Sequence, residues 1–179
     1  PHAIPTNDVA DTTTAFSVML PANFNPANIY NLVIYHHGLG ELAGAIITDT
    51  LKTTLIADLV ADGYIVADST AYRDNFGNDA GQQAYYELYR YLTTEYRIGR
   101  VLALSQSAGG PSGLLCLLNA RIPYAGWAGI YPVCNLANAF ATASLKSSVK
   151  AAYAFTDDAD YATATAGHDP MLFSPTAFA

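Results

Sequence analysis

A chain of 179 residues, 51% hydrophobic and 13% charged, is large enough for one domain with a sizeable core and too apolar for intrinsic disorder. Its net charge of -7 repels nucleic-acid phosphates and anionic membrane surfaces, so neither is an expected partner. No apolar run approaches the roughly 18 residues of a membrane-spanning helix. We therefore expect a single globular domain over residues 1–179 without a membrane span.

The N-terminus and the cysteines say little about where the protein acts. Residues 1–14 are polar and threonine-rich and predict an arm or loop. The chain begins at Pro1 rather than Met, so we interpret it as a mature or shortened form and weakly favour a secreted or extracellular location. Cys116 and Cys134 lie in apolar settings that favour buried free thiols, with a single disulfide as the alternative. Cysteine and histidine are too few and scattered for a zinc cluster, and we expect no metal or organic cofactor.

The pattern of apolar residues predicts alternating strands and helices. Residues 32–36 form a continuous β-prone run, typical of a strand buried on both faces of a parallel sheet. The apolar tyrosines and leucines of 80–96 recur at helical spacing and are interpreted as core packing. Strands are predicted at 15–20, 32–36, 64–67, 101–104 and 124–131, and helices at 46–61, 80–96, 108–120 and 135–152. This alternation predicts an α/β fold with a doubly wound, mostly parallel sheet, followed by an irregular tail over 153–179.

The most specific segment runs from Ser105 through Ser107 to Gly109, between a buried strand and an apolar helix. A tight strand-to-helix turn can hold a serine clear of the backbone in a strained conformation, where it can attack a carbonyl carbon. The residues two positions before and after that serine must be small, as Ser105 and Gly109 are. The following helix directs its N-terminal N–H groups at developing negative charge. The alternative is a Ser/Gly-rich turn in an ordinary α/β sheet.

This segment resembles the G-x-S-x-G nucleophile elbow of the α/β-hydrolase family, with Ser105 in place of the first glycine. The resemblance covers nearly the whole chain and implies the α/β-hydrolase fold. It also implies that Ser107 is the nucleophile and that the Ala108 N–H is one donor of the oxyanion hole.

An upstream segment supports the same resemblance. A predicted strand ends in His36-His37-Gly38-Leu39, which is similar to the family's strand followed by a His-Gly turn. The resemblance implies that Leu39 supplies the second oxyanion N–H. It also implies that His36 and His37 brace the turn rather than act as the general base.

The same turn supports a competing interpretation as a dinucleotide-binding loop. Gly38, Gly40 and Ala43 match G-x-G-x-x-A between a strand and a helix, and Asp68 ends the next strand. The spacing to Asp68 exceeds that motif's preference, and Ser107 would be left unexplained.

A polar loop, 72–79, follows the strand at 64–67, at the sheet edge where parallel sheets bind ligands. Asp74 and Asn75 are candidates for substrate contact, and the polar loop favours a carbohydrate or short-chain ester. Asn78 or Asp79 is expected to cap the following helix.

The remaining members of a catalytic triad are not evident. In the resembled family, an acid and a histidine follow the nucleophile on loops after later strands, whereas His168 is the only histidine after Ser107. We favour a truncated chain whose acid and histidine lie on a missing or separate C-terminal segment. The alternatives are an irregular triad of Ser107 and His168 with an upstream Asp such as Asp158, or a non-catalytic binding domain of an extracellular assembly. The expected activity is that of a serine esterase acting on a small-molecule or carbohydrate ester.

Overall fold

Five strands form one sheet in the computed structural model, which describes residues 15–48 and 50–173, apart from the side chains of Thr50 and Leu51. The strands are β1 (Phe16–Met19), β2 (Tyr30–His36), β3 (Ile65–Ser69), β4 (Ile98–Gln106) and β5 (Tyr124–Ile130). Their order across the sheet is β1-β3-β2-β4-β5. Only β1 runs antiparallel to its neighbour, so the predicted mostly parallel sheet is confirmed.

The helices follow the predicted order, with differences at their ends. They are α1 (Ala45–Thr48), α2 (Thr50–Ala61), α3 (Asp79–Glu95), α4 (Gly110–Leu118), α5 (Leu136–Ala141), α6 (Ala143–Ala152) and α7 (Tyr161–Ala164). The helix predicted over 135–152 is divided at Thr142, and the tail contains short helical turns rather than irregular chain alone. Asn78 caps α3 by accepting the Gly81 N–H at 2.8 Å, as expected. No helix within the described ranges is both long and apolar enough to cross a membrane.

The alternation of side chains along β2 shows how both faces of the sheet are buried. Leu32 and Ile34 pack into a core with α3 and α4, whereas Val33 and Tyr35 pack on the opposite face with α1 and α2. All four side chains are at most 3% exposed. Burial of each large apolar side chain contributes roughly 1.5–3 kcal/mol, which explains why this strand is a continuous apolar run. The doubly wound arrangement is therefore confirmed.

β5 forms one edge of the sheet. Among the described residues it pairs only with β4, and Ala125, Ala128 and Gly129 on it are exposed. A strand edge of this kind presents unpaired backbone N–H and C=O groups.

Asp68, at the end of β3, joins three elements of the fold. Its carboxylate is fully buried and accepts the Gly44 and Ile46 N–H groups at the start of α1 and the Ser17 hydroxyl of β1. Burial raises the pKa of Asp68, although these hydrogen bonds and nearby His37 act in the opposite direction.

Stability should therefore depend on pH through Asp68. A carboxyl group with a pKa raised by folding contributes stability below its unfolded value, and that contribution is lost as pH rises through the folded value. We expect wild type to lose free energy of unfolding relative to Asp68→Asn as pH rises above about 4, the unfolded value, and through the raised pKa of the folded state, measured by urea denaturation. The Asp62→Asn variant, which removes an exposed carboxylate, is the control for the change in net charge. A pH-independent difference for Asp68→Asn would contradict this expectation.

Candidate active site

Ser107 lies at the junction between β4 and the start of α4. β4 ends at Gln106, and Ser107 opens the 3₁₀ turn Ser107–Gly109 with φ of +46°, in the left-handed region. A non-glycine residue held there stores roughly 1–3 kcal/mol of strain, which the surrounding packing must support. The backbone therefore makes the tight strand-to-helix turn that the motif predicted.

Small residues around Ser107 are required by close packing. A Cβ on Gly109 would lie 2.3 Å from the His36 carbonyl oxygen and 2.5 Å from that of His37. A Cβ on Gly110 would lie 2.1 Å from the Val133 carbonyl oxygen. The start of α4 thus packs directly on the end of β2 and on the chain after β5.

Ser105 has a role beyond its small size. Its side chain is fully buried in β4, and Oγ accepts the Trp127 indole N–H at 3.0 Å. A Cβ on Gly113 of α4 would lie 2.2 Å from the same oxygen. The serine at the family's glycine position therefore ties β4 to β5 through a hydrogen bond that sequence reasoning missed.

The turn after β2 lies beside Ser107. Gly38 accepts the Glu41 N–H at 3.3 Å, and Gly40 has φ of +76°, as a tight turn requires. A Cβ on Gly38 would lie 3.5 Å from the Ser107 Cβ. Within the described part of the chain, neither Leu39 nor Ala108 donates its N–H to an acceptor. The contribution of these two N–H groups to an oxyanion hole stays a prediction.

The two histidines of this turn are held by other partners. His36 is fully buried, with Nε2 2.8 Å from the Tyr124 hydroxyl and its ring 3.9 Å from that of Tyr85. Burial, and to a lesser extent His37, lower the pKa of His36 to about 3. The ring nitrogens of His37 lie 2.8 Å from the Gly38 carbonyl oxygen and 2.9 Å from that of Thr70. Both rings therefore brace the turn.

The loop after β3 reaches both sides of the site. Asp74 Oδ1 accepts the Gly40 N–H at 2.6 Å, which ties the loop to the turn after β2. Asn75 is buried, and its Oδ1 accepts the Gly77 N–H and the Ser112 hydroxyl of α4. Substrate contact by Asp74 or Asn75 stays a prediction, and the structure gives both side chains partners within the protein.

The dinucleotide interpretation of this region is wrong for this structure. Asp68, which would bind a ribose, is fully buried and bonded to Ser17 and to the start of α1.

The structure does not bring His168 and Asp158 together with Ser107. His168 Nδ1 lies 3.0 Å from the Ala166 carbonyl oxygen, and Nε2 lies 3.4 Å from Asp79 Oδ1. Asp158 forms ion pairs with Lys146 and Lys150, whose hydrogen bonds lower its pKa. Among the described residues, no side chain bonds to the Ser107 hydroxyl. The irregular triad is therefore not formed in this structure.

Other reactive groups are sparse in the described chain. Cys116 and Cys134 are free, and burial raises the pKa of the Cys116 thiol to about 12. Cys134 is only partly buried, in contrast to the expected pair of buried thiols. Within the described ranges, no group of three His, Cys, Asp or Glu side chains is placed to hold a metal ion.

Gly109→Ala should destabilise the protein by about 3 kcal/mol or more, because the new methyl group collides with two backbone carbonyls that cannot move independently of β2. Urea unfolding measures the effect. The control is Gly126→Ala in β5, where the added Cβ meets only the Leu102 side chain at 3.5 Å. Equal losses in the two variants would contradict the packing argument.

His36 should remain neutral over the range in which free histidine titrates. We expect its ring proton NMR shifts, assigned with a His36→Gln variant, to stay constant from about pH 8 to about pH 4. A midpoint near the ordinary value of 6.5 would show that the ring is not buried as described.

Solved structures share this fold at low sequence identity. FphF, a fluorophosphonate-binding serine hydrolase of Staphylococcus aureus, matches at a TM-score of 0.65 and 14% identity, over 87% of this chain and 64% of its own. A ferulic acid esterase matches at 0.54 and 16% identity, over 67% and 53% of the two chains. An esterase of Rhizomucor miehei matches at 0.54 and 16% identity, over 74% and 43%.

The chain thus spans less than two thirds of the length of each of these proteins. No model of a known protein family matches the sequence, and no curated protein matches it. The sheet order, the flanking helices and the structural matches agree on one architecture: this chain has the α/β-hydrolase fold.

Proposed function

We propose that this chain carries the nucleophile of a serine hydrolase that cleaves esters. The observation that carries the proposal is Ser107 itself, held at φ of +46° between a buried strand and a helix. Its hydroxyl has no hydrogen-bond partner among the described residues. Strained backbone dihedrals at a non-glycine residue are concentrated at functional sites.

In the proposed reaction, Ser107 Oγ bonds to the ester carbonyl carbon while a base takes the hydroxyl proton. The N–H groups of Leu39 and Ala108 donate to the oxyanion of the tetrahedral intermediate. The bond to the alcohol oxygen then breaks, and the base returns the proton to the departing alkoxide. Water attacks the acyl-enzyme in the same way and releases the acid.

The base is proposed to arrive from polypeptide that pairs with β5. His36 and His37 are bound within the turn, and His168 contacts Asp79 and Ala166. The open β5 edge offers unpaired backbone groups beside the nucleophile strand. A further strand there would place its own loops at the carboxyl end of the sheet, where Ser107 lies.

The proposed substrate is a carbohydrate or short-chain ester. The loop 72–79, which lies beside the turn after β2 through Asp74, is rich in polar side chains. Two of the matched structures are named esterases, which supports an ester rather than an amide.

A second candidate function is a non-catalytic binding domain with the same fold. The observation that favours it is the lack of a base at Ser107 among the described residues. An inactive domain would not need to keep Ser107 strained, and the two functions are therefore distinguishable by the reactivity of that residue.

A fluorophosphonate probe applied to the protein at its natural length should form an adduct on Ser107, located by mass spectrometry, because such probes require an activated serine. Ser107→Ala should abolish labelling, whereas Ser147→Ala, at an exposed serine of α6, should label like wild type. An unlabelled wild type, or an adduct on another serine, would favour the binding domain.

A further inference from the structure

The turn between β2 and α1, residues 38–41, is held by carboxylates on both sides. We propose that Glu41 and Asp74 are positioning residues that fix this turn so that, of the N–H groups of the turn, that of Leu39 is left to bind a substrate oxyanion together with the Ala108 N–H. The inference rests on the proposed function and assigns its oxyanion site two supporting side chains that lie outside the resemblance.

Three of the four backbone N–H groups of the turn have acceptors within the protein. The Gly38 N–H donates to Glu41 Oε2 at 2.9 Å, and the Gly40 N–H donates to Asp74 Oδ1 at 2.6 Å. The Glu41 N–H donates to the Gly38 carbonyl at 3.3 Å, which closes the turn. Among the described residues, Leu39 is the one member of the turn whose N–H has no acceptor. The neighbouring N–H groups are taken up by the two carboxylates and the turn itself, so Leu39 is the residue of this turn whose N–H is available to a ligand.

Glu41 is itself fixed from the other side. The Lys52 ammonium of α2 is buried and forms an ion pair with Glu41 Oε1. The Tyr35 hydroxyl lies 3.1 Å from Glu41 Oε2 and 2.8 Å from Oε1 of Gln106, the residue before Ser107. One carboxylate therefore links the oxyanion turn to the nucleophile strand. Because long side chains lose their freedom in this network, its geometry is preorganised.

Asp74 approaches the turn from the loop after β3, and that loop is strained. Non-glycine residues with positive φ in it are Ala71, Tyr72, Arg73 and Phe76. Asn75 secures the loop to α4 through the Ser112 hydroxyl, at 2.5 Å from its Oδ1. The strained backbone is thus rigidly supported at the place where it presents Asp74 to Gly40, as expected for a positioning device.

The charges of the two carboxylates indicate what each must supply. A negative group near a developing oxyanion opposes catalysis, unless it is neutralised or screened. Lys52 neutralises Glu41, whereas the half-buried Asp74 is open to screening by water. The useful property of Asp74 is therefore an oxygen acceptor at the Gly40 N–H, which an asparagine at the same position also provides.

The test compares Asp74→Ala and Asp74→Asn in the reaction of Ser107 with a fluorophosphonate probe. Asp74→Ala should lower the limiting labelling rate at saturating probe about tenfold, because the Leu39 N–H loses its orientation. The probe concentration at half-maximal rate should stay unchanged. Asp74→Asn should restore the rate to within about threefold of wild type.

The control is Asp157→Ala, which removes a carboxylate that also accepts a backbone N–H, that of Ala159 at 3.0 Å, in an exposed turn of the tail. It should label at the wild-type rate. Amide hydrogen exchange provides a readout independent of labelling: exchange at Gly40 should accelerate in Asp74→Ala and remain slow in Asp74→Asn.

The outcomes distinguish a failure of the positioning role from a failure of the proposed function. If wild type is labelled on Ser107 and Asp74→Ala is labelled equally fast, the positioning role is wrong while the proposed function stands. If Asp74→Asn is as slow as Asp74→Ala, an oxygen acceptor is not what the site requires, and the inference is also overturned. If wild type takes up no probe on Ser107, the proposed function is wrong, and so is the positioning role of Glu41 and Asp74 that rests on it.

Discussion

The close contact between the first turn of α4 and the end of β2 is the constraint on which the site depends. At Gly109 the space for a Cβ atom is already occupied by the carbonyl oxygens of His36 and His37. This contact brings the turn after β2 beside Ser107, because β2 and β4 are neighbouring strands in register up to His36 and Ser105. Ser107 and the turn after β2 therefore lie side by side because Gly109 has no side chain to keep the two segments apart.

Secondary structure was predictable where both faces of an element are buried. β2 and β3 are continuous apolar runs, because each side chain meets one of two cores. β4 begins earlier than predicted, at Ile98, because Gly99 and Arg100 are exposed and this part of the strand lacks the apolar signal. The short helical turns of the tail were missed because they are held by capping carboxylates such as Asp157 and Asp169, not by apolar periodicity.

The parts of the site differ in whether they could be predicted from the sequence, because some depend on neighbouring residues and others on contacts between distant ones. Ser107 could be identified from five consecutive residues, since the geometry of a strand-to-helix turn is local. The contact of Asp74 with Gly40 joins residues 34 positions apart, and that of Trp127 with Ser105 joins residues 22 apart. No spacing rule connects such pairs, because the crossover connections of a parallel sheet set their distance. From its polar loop alone, Asp74 was therefore predicted to contact substrate. In the structure its carboxylate accepts the N–H of Gly40 in the turn after β2.

The surroundings of Ser107 also restrict the direction from which a base can reach it. On the β2 side the turn is closed by Glu41 and its partners, and the loop after β3 closes the turn further through Asp74. Beneath the elbow, α4 packs against the His36 and His37 carbonyls. On the β5 side, the Val133 N–H donates to the Ser107 carbonyl oxygen, and Val133 and Leu136 pack in one cluster with Ala108. The backbone of Ser107 is thus packed on each of these sides, whereas its hydroxyl has no partner among the described residues. The base of the proposed reaction is therefore not one of the groups that hold the turn.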